Sequence, residues 1–325
     1  MTRLKACLDR PHSFRAWVAL RITRGIALFF LATLLLFMSV QMLPGDAASV
    51  SVGKHGTVAV EHVRNEMGLD RPLIHRYGEW LARFLKGDLG SSLITGAPVA
   101  RVLHNQVLAS LTVAAIVMGL LLAVTIPAAF YFGATQGRVE RAFSGASIVI
   151  SALPEFVTSI GLLVLVSQYL RILPVLSSPG GGETVWRKPI CLVLPSLTLW
   201  VICSAPMLRR IRSLVSSYVI SPYIRDARLA GLSTPRILFV HLLPAVSPSI
   251  AQLFAHTVPY LLGGTVIVET VTSFPGMGYS LVEAVNSRET PLVMAIGTVL
   301  VGCALVSYTG ADLLKKRQER ITAVI

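Results

Sequence analysis

Six long apolar runs, separated by charged segments, limit this chain to very few folds. They cover residues 25–43, 107–132, 142–170 (interrupted only by Glu155), 189–208, 246–268 and 291–311. Each is close to the ~20 residues that a helix needs to cross a bilayer. Lipid offers the backbone no hydrogen-bond partners, so spanning segments of this length favour helices. With 54% hydrophobic and 14% charged residues, the chain is predicted to be an all-α polytopic membrane protein with six transmembrane helices.

The basic residues predict the orientation of these helices. They concentrate on one side of the predicted spans, which the positive-inside rule assigns to the cytoplasm together with both termini. The first run exceeds the usual ~7–15-residue signal-peptide core, which indicates an uncleaved helix. The net charge of +13 is therefore attributed to topology and contact with lipid headgroups, not to nucleic-acid binding. The predicted segments are a cytoplasmic 1–24, a first span 25–43, an extracytoplasmic region 44–106, a transmembrane core 107–311 with cytoplasmic loops 133–141 and 209–245, and a cytoplasmic tail 312–325.

The extracytoplasmic region contains one amphipathic helical pattern. Apolar side chains recur there at helical spacing, with charged residues on the opposite face. They are Leu73, Tyr77, Trp80, Leu81 and Phe84. This pattern predicts a packed helix outside the first span.

No motif for a chemical reaction or a bound cofactor is present in the sequence. Gly53-Lys54 is followed by His55 and lacks the upstream glycine of a phosphate-binding loop. The cysteines (Cys7, Cys191, Cys203 and Cys303) are scattered without metal-ligand spacing, so we interpret them as small apolar residues. The sequence therefore predicts no catalytic residue, no metal site and no cofactor on this chain.

A few polar residues inside the apolar runs are candidates for a solute path. Glu155, flanked by Pro154 and Phe156, is costly in a span unless it is paired or faces water. It either lines a hydrated path or partners a neighbouring helix, and the sequence favours neither. His256 is the histidine deepest in a span, where a helix–helix hydrogen bond is its commoner role. Glu269, at the end of the fifth run, is expected to be a loop or capping residue rather than a solute ligand.

The segment 222–233 in the basic inner loop has the signals of a short, exposed helix. Pro222 suits a first helical turn, and Gly231 stands where a helix favours a C-cap. Tyr223, Ala227 and Ala230 fall on one face. We interpret this helix as a docking element, with Ala227 and Gly231 allowing close approach and with Arg225, Asp226 and Arg228 steering the partner. The alternative is a solvated basic loop without a partner.

Several blocks together resemble the membrane-spanning subunits of bacterial ABC importers, and above all the dipeptide/oligopeptide/nickel permease family. The segment 223–232 (YIRDARLAGL), which ends at Leu232, resembles the family's "EAA" loop. Leu229, Ala230 and Ala245 depart from the family pattern, which leaves the choice of ATPase partner open. The other blocks are 43–47 (LPGDA), 67–73 (MGLDRPL), 86–92 (KGDLGSS), 194–199 (LPSLTL) and 269–279 (ETVTSFPGMGY).

The resemblance implies a type I ABC importer permease in the bacterial inner membrane. Two homologous permease subunits, usually a heterodimer, would surround the path. Two cytoplasmic ATPases carrying ATP and Mg²⁺ would dock on the loop helix, and an extracytoplasmic binding protein would deliver the solute. The cargo is expected to be a dipeptide, a longer peptide, glutathione, a nickel chelate or a similar small solute.

The block around Phe274, Pro275, Gly276, Met277 and Gly278 resembles the family's outer turn. It is expected to be a re-entrant or tightly folded cap, which either contacts the binding protein, gates the outer mouth or simply connects two helices. Two other functional classes remain open. An intramembrane enzyme would use Glu155 with His256, and a passive channel would conduct without an ATPase.

Overall fold

A computed structural model describes residues 14–42, 71–135, 137–180, 184–233, 236–263 and 266–322. Cys7, the 43–47 block and residues 67–70 therefore lie outside the described residues. The described chain is helical, with one isolated bridge between Ser91 and Pro98. Its helices are α1 (Phe14–Gln41), α2 (Leu73–Leu85), α3 (Val99–Ala134), α4 (Arg138–Ala152), α5 (Glu155–Tyr169), α6 (Ile190–Val219), α7 (Pro222–Leu229), α8 (Ile237–Gly263), α9 (Val266–Thr272), α10 (Met277–Asn286) and α11 (Thr290–Thr322).

Five described helices (α1, α3, α6, α8 and α11) are long and apolar enough to cross a membrane, and the bent pair of α4 and α5, taken as one span, makes a sixth. The run 142–170, interrupted at Glu155, is divided between α4 and α5, which meet at an angle of 109°. Pro154 has no N–H to donate and restricts the residue before it to an extended conformation. Leu153 accordingly has a ψ of 137°. The helix ends there, and Glu155 begins a new one.

Two spans extend beyond the apolar runs that predicted them. Helix α6 continues to Val219 and carries Arg209 and Arg210 on its last turns, whereas the prediction ended this span at residue 208. Helix α8 begins at Ile237, nine residues before the predicted start at 246. A helix can continue into water once its apolar part is long enough to span, so charge marks the membrane boundary and not the helix end.

Helices α3 and α8 each contain a π-helical turn that ends two residues before a proline. The turns are Leu121–Thr125, before Pro127, and Ile237–Leu242, before Pro244. A proline ring in an α-helix clashes with the carbonyl four residues earlier. A wider turn with i→i+5 hydrogen bonds moves the backbone before the ring, so both helices remain continuous.

The core lies between α3, α6, α8 and α11. Its fully buried side chains include Val117, Leu199, Ile211, Val246 and Ile296.

A second, smaller cluster joins α1 to α2 and α11 through Phe37, Tyr77 and Met294. The Tyr77 hydroxyl lies 3.0 Å from the Thr33 hydroxyl of α1. Helix α2 thus has the predicted amphipathic character, although Leu73 at its first turn is exposed. On the opposite side of the bundle, Arg21 of α1 forms an ion pair with Asp312 of α11. This pair places the N-terminal part of α1 beside the C-terminal part of α11.

Candidate functional site

Helix α7 is a short inner-side helix with a specific cap at each end. The Ser221 hydroxyl accepts a hydrogen bond from the Ile224 N–H at 3.5 Å, and Pro222 occupies the first turn. At the other end Gly231 has a φ of +78°. Leu232 N–H donates to Ala227 O at 3.2 Å and Gly231 N–H to Arg228 O at 3.0 Å. This pair of bonds is the Schellman motif, so local residues define both ends of α7.

The exposure of the two faces of α7 differs from the prediction at Ala227. Ile224 and Ala227 are 1% and 8% exposed and belong to the core of this chain. Ala227 therefore packs inward, and its small side chain serves intramolecular packing. A side chain at Gly231 would meet open space. The fold therefore requires glycine there for its positive φ and not for lack of room. The outward face consists of Tyr223, Arg225, Asp226, Arg228 and Leu229.

A polar contact joins α7 to α8. The Tyr223 hydroxyl lies 2.5 Å from Nδ1 of His241, which is in the π-helical turn of α8. Their rings also meet edge to face, with centroids 5.3 Å apart. The first turn of α7 is therefore attached to the first turn of α8.

A cavity of about 460 Å³ lies between the α4–α5 break and helices α6 and α8. A second cavity of about 580 Å³ adjoins it toward the inner side, along Ser213 and Ser249. We call the two together the passage. They share Arg209, Arg210, Leu253 and His256. Because α6 and α8 run from Cys203 and Tyr260 to these residues, the passage leads from the middle of the bundle to the inner side.

The passage separates one negative charge from two positive ones. Glu155, half-buried at the start of α5, is the acidic residue among the described lining residues, and it lies close enough to Cys203 and Tyr260 to interact with them electrostatically. Arg209 and Arg210 lie about two helical turns after Cys203 along α6. The arrangement can pair with both an amine and a carboxylate of one solute.

The structure brings three of the predicted path residues together and leaves two apart. Pro154, Glu155 and His256 line the passage. His256 Nδ1 also hydrogen-bonds the Gln252 carbonyl at 2.8 Å. Phe156 is 51% exposed and outside the passage lining, whereas Glu269 is fully buried elsewhere.

Sequence reasoning missed Arg209, Arg210, Cys203 and Tyr260 as lining residues. The arginines were interpreted only as topology signals, because the predicted span ended before them. The spacing of Leu253, His256, Thr257 and Tyr260 marks one face of α8 and could have revealed this wall.

Glu269 caps a helix at the outer end of the bundle. Its carboxylate accepts hydrogen bonds from the Ser110 hydroxyl at 2.8 Å and from the Gly278 and Tyr279 N–H groups at 2.7 and 3.0 Å. These N–H groups begin α10, where a negative charge is favourable. The carboxylate therefore fastens α9, α10 and α3 together and has no surface in the passage.

The outer turn is a tight hairpin between α9 and α10. Phe274 and Met277 are 0% and 1% exposed, and Phe274 N–H donates to Glu269 O at 2.8 Å. Pro275 and Gly276 lead into α10, which begins at Met277. A Cβ at Gly278 would lie 2.6 Å from Val266 Cα, a distance that allows only glycine. The outer turn is thus a tightly packed part of the described chain.

A family of known membrane proteins matches most of this chain. The model for "binding-protein-dependent transport system inner membrane component" matches residues 115–321, and a model for the N-terminal part of such components matches residues 15–100. The chain belongs to this family. It is accordingly a multi-pass permease subunit of an ABC importer in the bacterial inner membrane, and the predicted family, fold class and general function are confirmed.

Individual relatives of this permease carry names that specify a solute. A "probable peptide ABC transporter permease protein" of Sinorhizobium fredii is 29% identical over 301 residues, which is 91% of this chain and 96% of the relative. The "glutathione transport system permease protein" GsiC of Escherichia coli O6:H1 is 30% identical over 284 residues, 86% of this chain and 89% of the relative. GsiC of Shigella flexneri is 29% identical with the same coverage.

No group of three or more potential metal ligands occurs in the described part of this permease.

Proposed function

We propose that this permease forms half of a path for small peptides, through which ATP-driven import proceeds in one direction. The single observation that carries the proposal is the passage, which runs from Glu155 to the inner side past Arg209 and Arg210. Its first cavity, about 460 Å³, is within the range of small-molecule sites.

A peptide-like solute fits the charges of the passage. Every unmodified peptide carries an amine and a carboxylate, and so does glutathione. Glu155 can accept a hydrogen bond from the amine, and the guanidinium groups of Arg209 and Arg210 can bind the carboxylate. The names of the peptide and glutathione permeases among the relatives support the same class of solute.

Energy is proposed to enter through α7. Its outward face holds two arginines, an aspartate, an exposed tyrosine and Leu229, which is 79% exposed. Such a face, on a helix with both ends capped, suits docking into a groove of a cytoplasmic ATPase. Two ATPases, each with ATP and Mg²⁺, a second homologous permease subunit and an extracytoplasmic binding protein complete the proposed importer. This chain itself is proposed to bind no nucleotide and to catalyse no reaction.

The proposal is tested by reconstituting the complete complex in liposomes. Radiolabelled alanyl-alanine and glutathione serve as probes, with ATP on the ATPase side and the binding protein on the other. We expect uptake of at least one probe that requires both ATP and the binding protein. Uptake without ATP would identify a channel, and conversion of either probe by this chain alone would identify an enzyme.

Glu155→Gln tests the solute path in the same liposomes. A hydrogen bond to a charged group contributes about 1.5–3 kcal/mol, so its loss should lower uptake by about tenfold or more. Val157→Ala, close by on α5 but outside the passage lining, is the matched control and should transport normally. Equal uptake by Glu155→Gln and the unaltered protein would remove Glu155 from the path.

A further inference from the structure

We propose that the hydrogen bond between Tyr223 and His241 transmits the displacement of α7 to α8, and hence to a wall of the passage. His241 is thereby a positioning residue for transport, although it contacts neither ATP nor solute. This inference rests on the proposed docking of an ATPase on α7.

The bond has the geometry of a directional link. The Tyr223 hydroxyl and His241 Nδ1 are 2.5 Å apart, and the ring contact limits how far the tyrosine can turn. Among the described residues, no other side-chain hydrogen bond joins α7 to α8. Apart from the chain connections at its two ends, Ile224 and Ala227 attach α7 to the core by apolar packing. Such packing lets a helix slide more readily than a hydrogen bond of fixed geometry does.

Helix α8 connects this link to the passage. It is continuous from Ile237 to Gly263, and His256, Thr257 and Tyr260 on it line the passage. The distance along the helix from His241 to His256 is about 22 Å, at 1.5 Å per residue. A tilt of the first turn of α8 would therefore move these lining residues as part of one rigid element.

The π-helical turn gives α8 a place where such movement can begin. His241 lies inside the turn, and Leu243 N–H donates five residues back, to Leu238 O. π-helical turns are less stable than α-helical ones and are frequent at functional sites. Ile237 and Leu242 pack the same turn against the core, at 6% and 2% exposure, so a pull on His241 moves the turn together with the helix that follows it.

The test compares uptake per ATP hydrolysed in the reconstituted complex. His241→Phe keeps an aromatic ring but loses the nitrogen, and Tyr223→Phe loses only the hydroxyl. We expect uptake of the alanyl-alanine or glutathione probe per ATP to fall about tenfold in each, and in His241→Phe, which lies outside the outward face of α7, the ATPases remain bound and active. The double variant should be no worse than either single one, because both remove the same interaction. His241→Gln, which keeps an acceptor oxygen, should recover part of the uptake.

A second readout does not depend on the solute. Linkage is reciprocal, so the binding protein's stimulation of ATP hydrolysis should also disappear in His241→Phe. Val240→Ala, exposed in the same π-helical turn, is the control and should retain both properties.

Three results would each overturn the inference. The first is unchanged uptake per ATP in His241→Phe, and the second is a double variant with lower uptake per ATP than either single variant. The third is dissociation of the ATPases from His241→Phe. If the ATPases do not bind the unaltered permease, the proposed function itself fails, and the two failures are thus distinguishable.

Discussion

Two glutamates of this permease show how the same side chain serves different purposes. Glu155 is half-buried and faces the passage, whereas Glu269 is fully enclosed and accepts bonds from Ser110, Gly278 and Tyr279. Both occur within or beside apolar sequence, where a carboxylate needs a partner or water. The surrounding backbone decides which it receives.

Glu269→Ala should destabilise the permease strongly. The change leaves two backbone N–H groups and one hydroxyl without an acceptor, and each such group costs about 1–3 kcal/mol when buried. We expect a lower thermal unfolding midpoint, by several degrees, for the detergent-solubilised protein. Glu79→Ala, which removes an exposed ion pair with Arg71, should change the midpoint little. Similar midpoints for the two variants would show that the outer cap is held by other contacts.

At the scale of the element, α7 illustrates a helix whose ends are locally encoded. Its hydroxyl cap, first-turn proline and left-handed glycine all agree with the signals in residues 221–232. The requirement for Gly231 is conformational, because the space around it is open in this subunit.

Substitutions at Gly231 separate conformation from contact. Asparagine adopts positive φ far more readily than a β-branched residue does. We therefore expect Gly231→Asn to keep most ATP-driven uptake in the reconstituted complex and Gly231→Val to lose most of it, with equal amounts of both in the membrane. Equal loss in both would mean that an ATPase approaches Gly231 too closely for any side chain.

The helices also show which parts of the structure could be predicted from the sequence. Hydrophobic runs identified the spans, and cap residues identified α7, because both signals are local. Pro154 marks the break at Leu153 locally as well, whereas the angle of 109° between α4 and α5 depends on packing. The inward orientation of Ala227 depends on where the core lies. The passage depends on how α4, α5, α6 and α8 meet, and no local pattern contains that information.

At the scale of the whole molecule, the permease is open toward one side. The passage continues to Ser213 and Ser249 near the inner ends of α6 and α8. The α9–α10 hairpin, with Phe274 and Met277 buried, is packed at the other end of the bundle. This asymmetry is expected of one state of an alternating-access cycle.

Thiol labelling can test this asymmetry. In a variant without native cysteines, Ser249→Cys should react with a membrane-impermeant thiol reagent from the cytoplasmic side alone. The reaction should slow when a non-hydrolysable ATP analogue holds the ATPases closed. Ser91→Cys, exposed in the predicted extracytoplasmic region, should react from the outside alone. Labelling of Ser249→Cys from the outside in the absence of nucleotide would contradict the state described.

The wide turn that precedes Pro244 has a consequence for the angular register of α8. A π-helical turn is equivalent to one residue inserted into an α-helix, and each residue contributes about 100° of rotation. Deleting a single amino acid between 237 and 242 would keep the span long enough for the bilayer. It would nevertheless rotate the chain before residue 237, including α7, by more than a quarter-circle around the axis of α8. The protein would still insert normally, but the outward face of α7 would have the wrong direction.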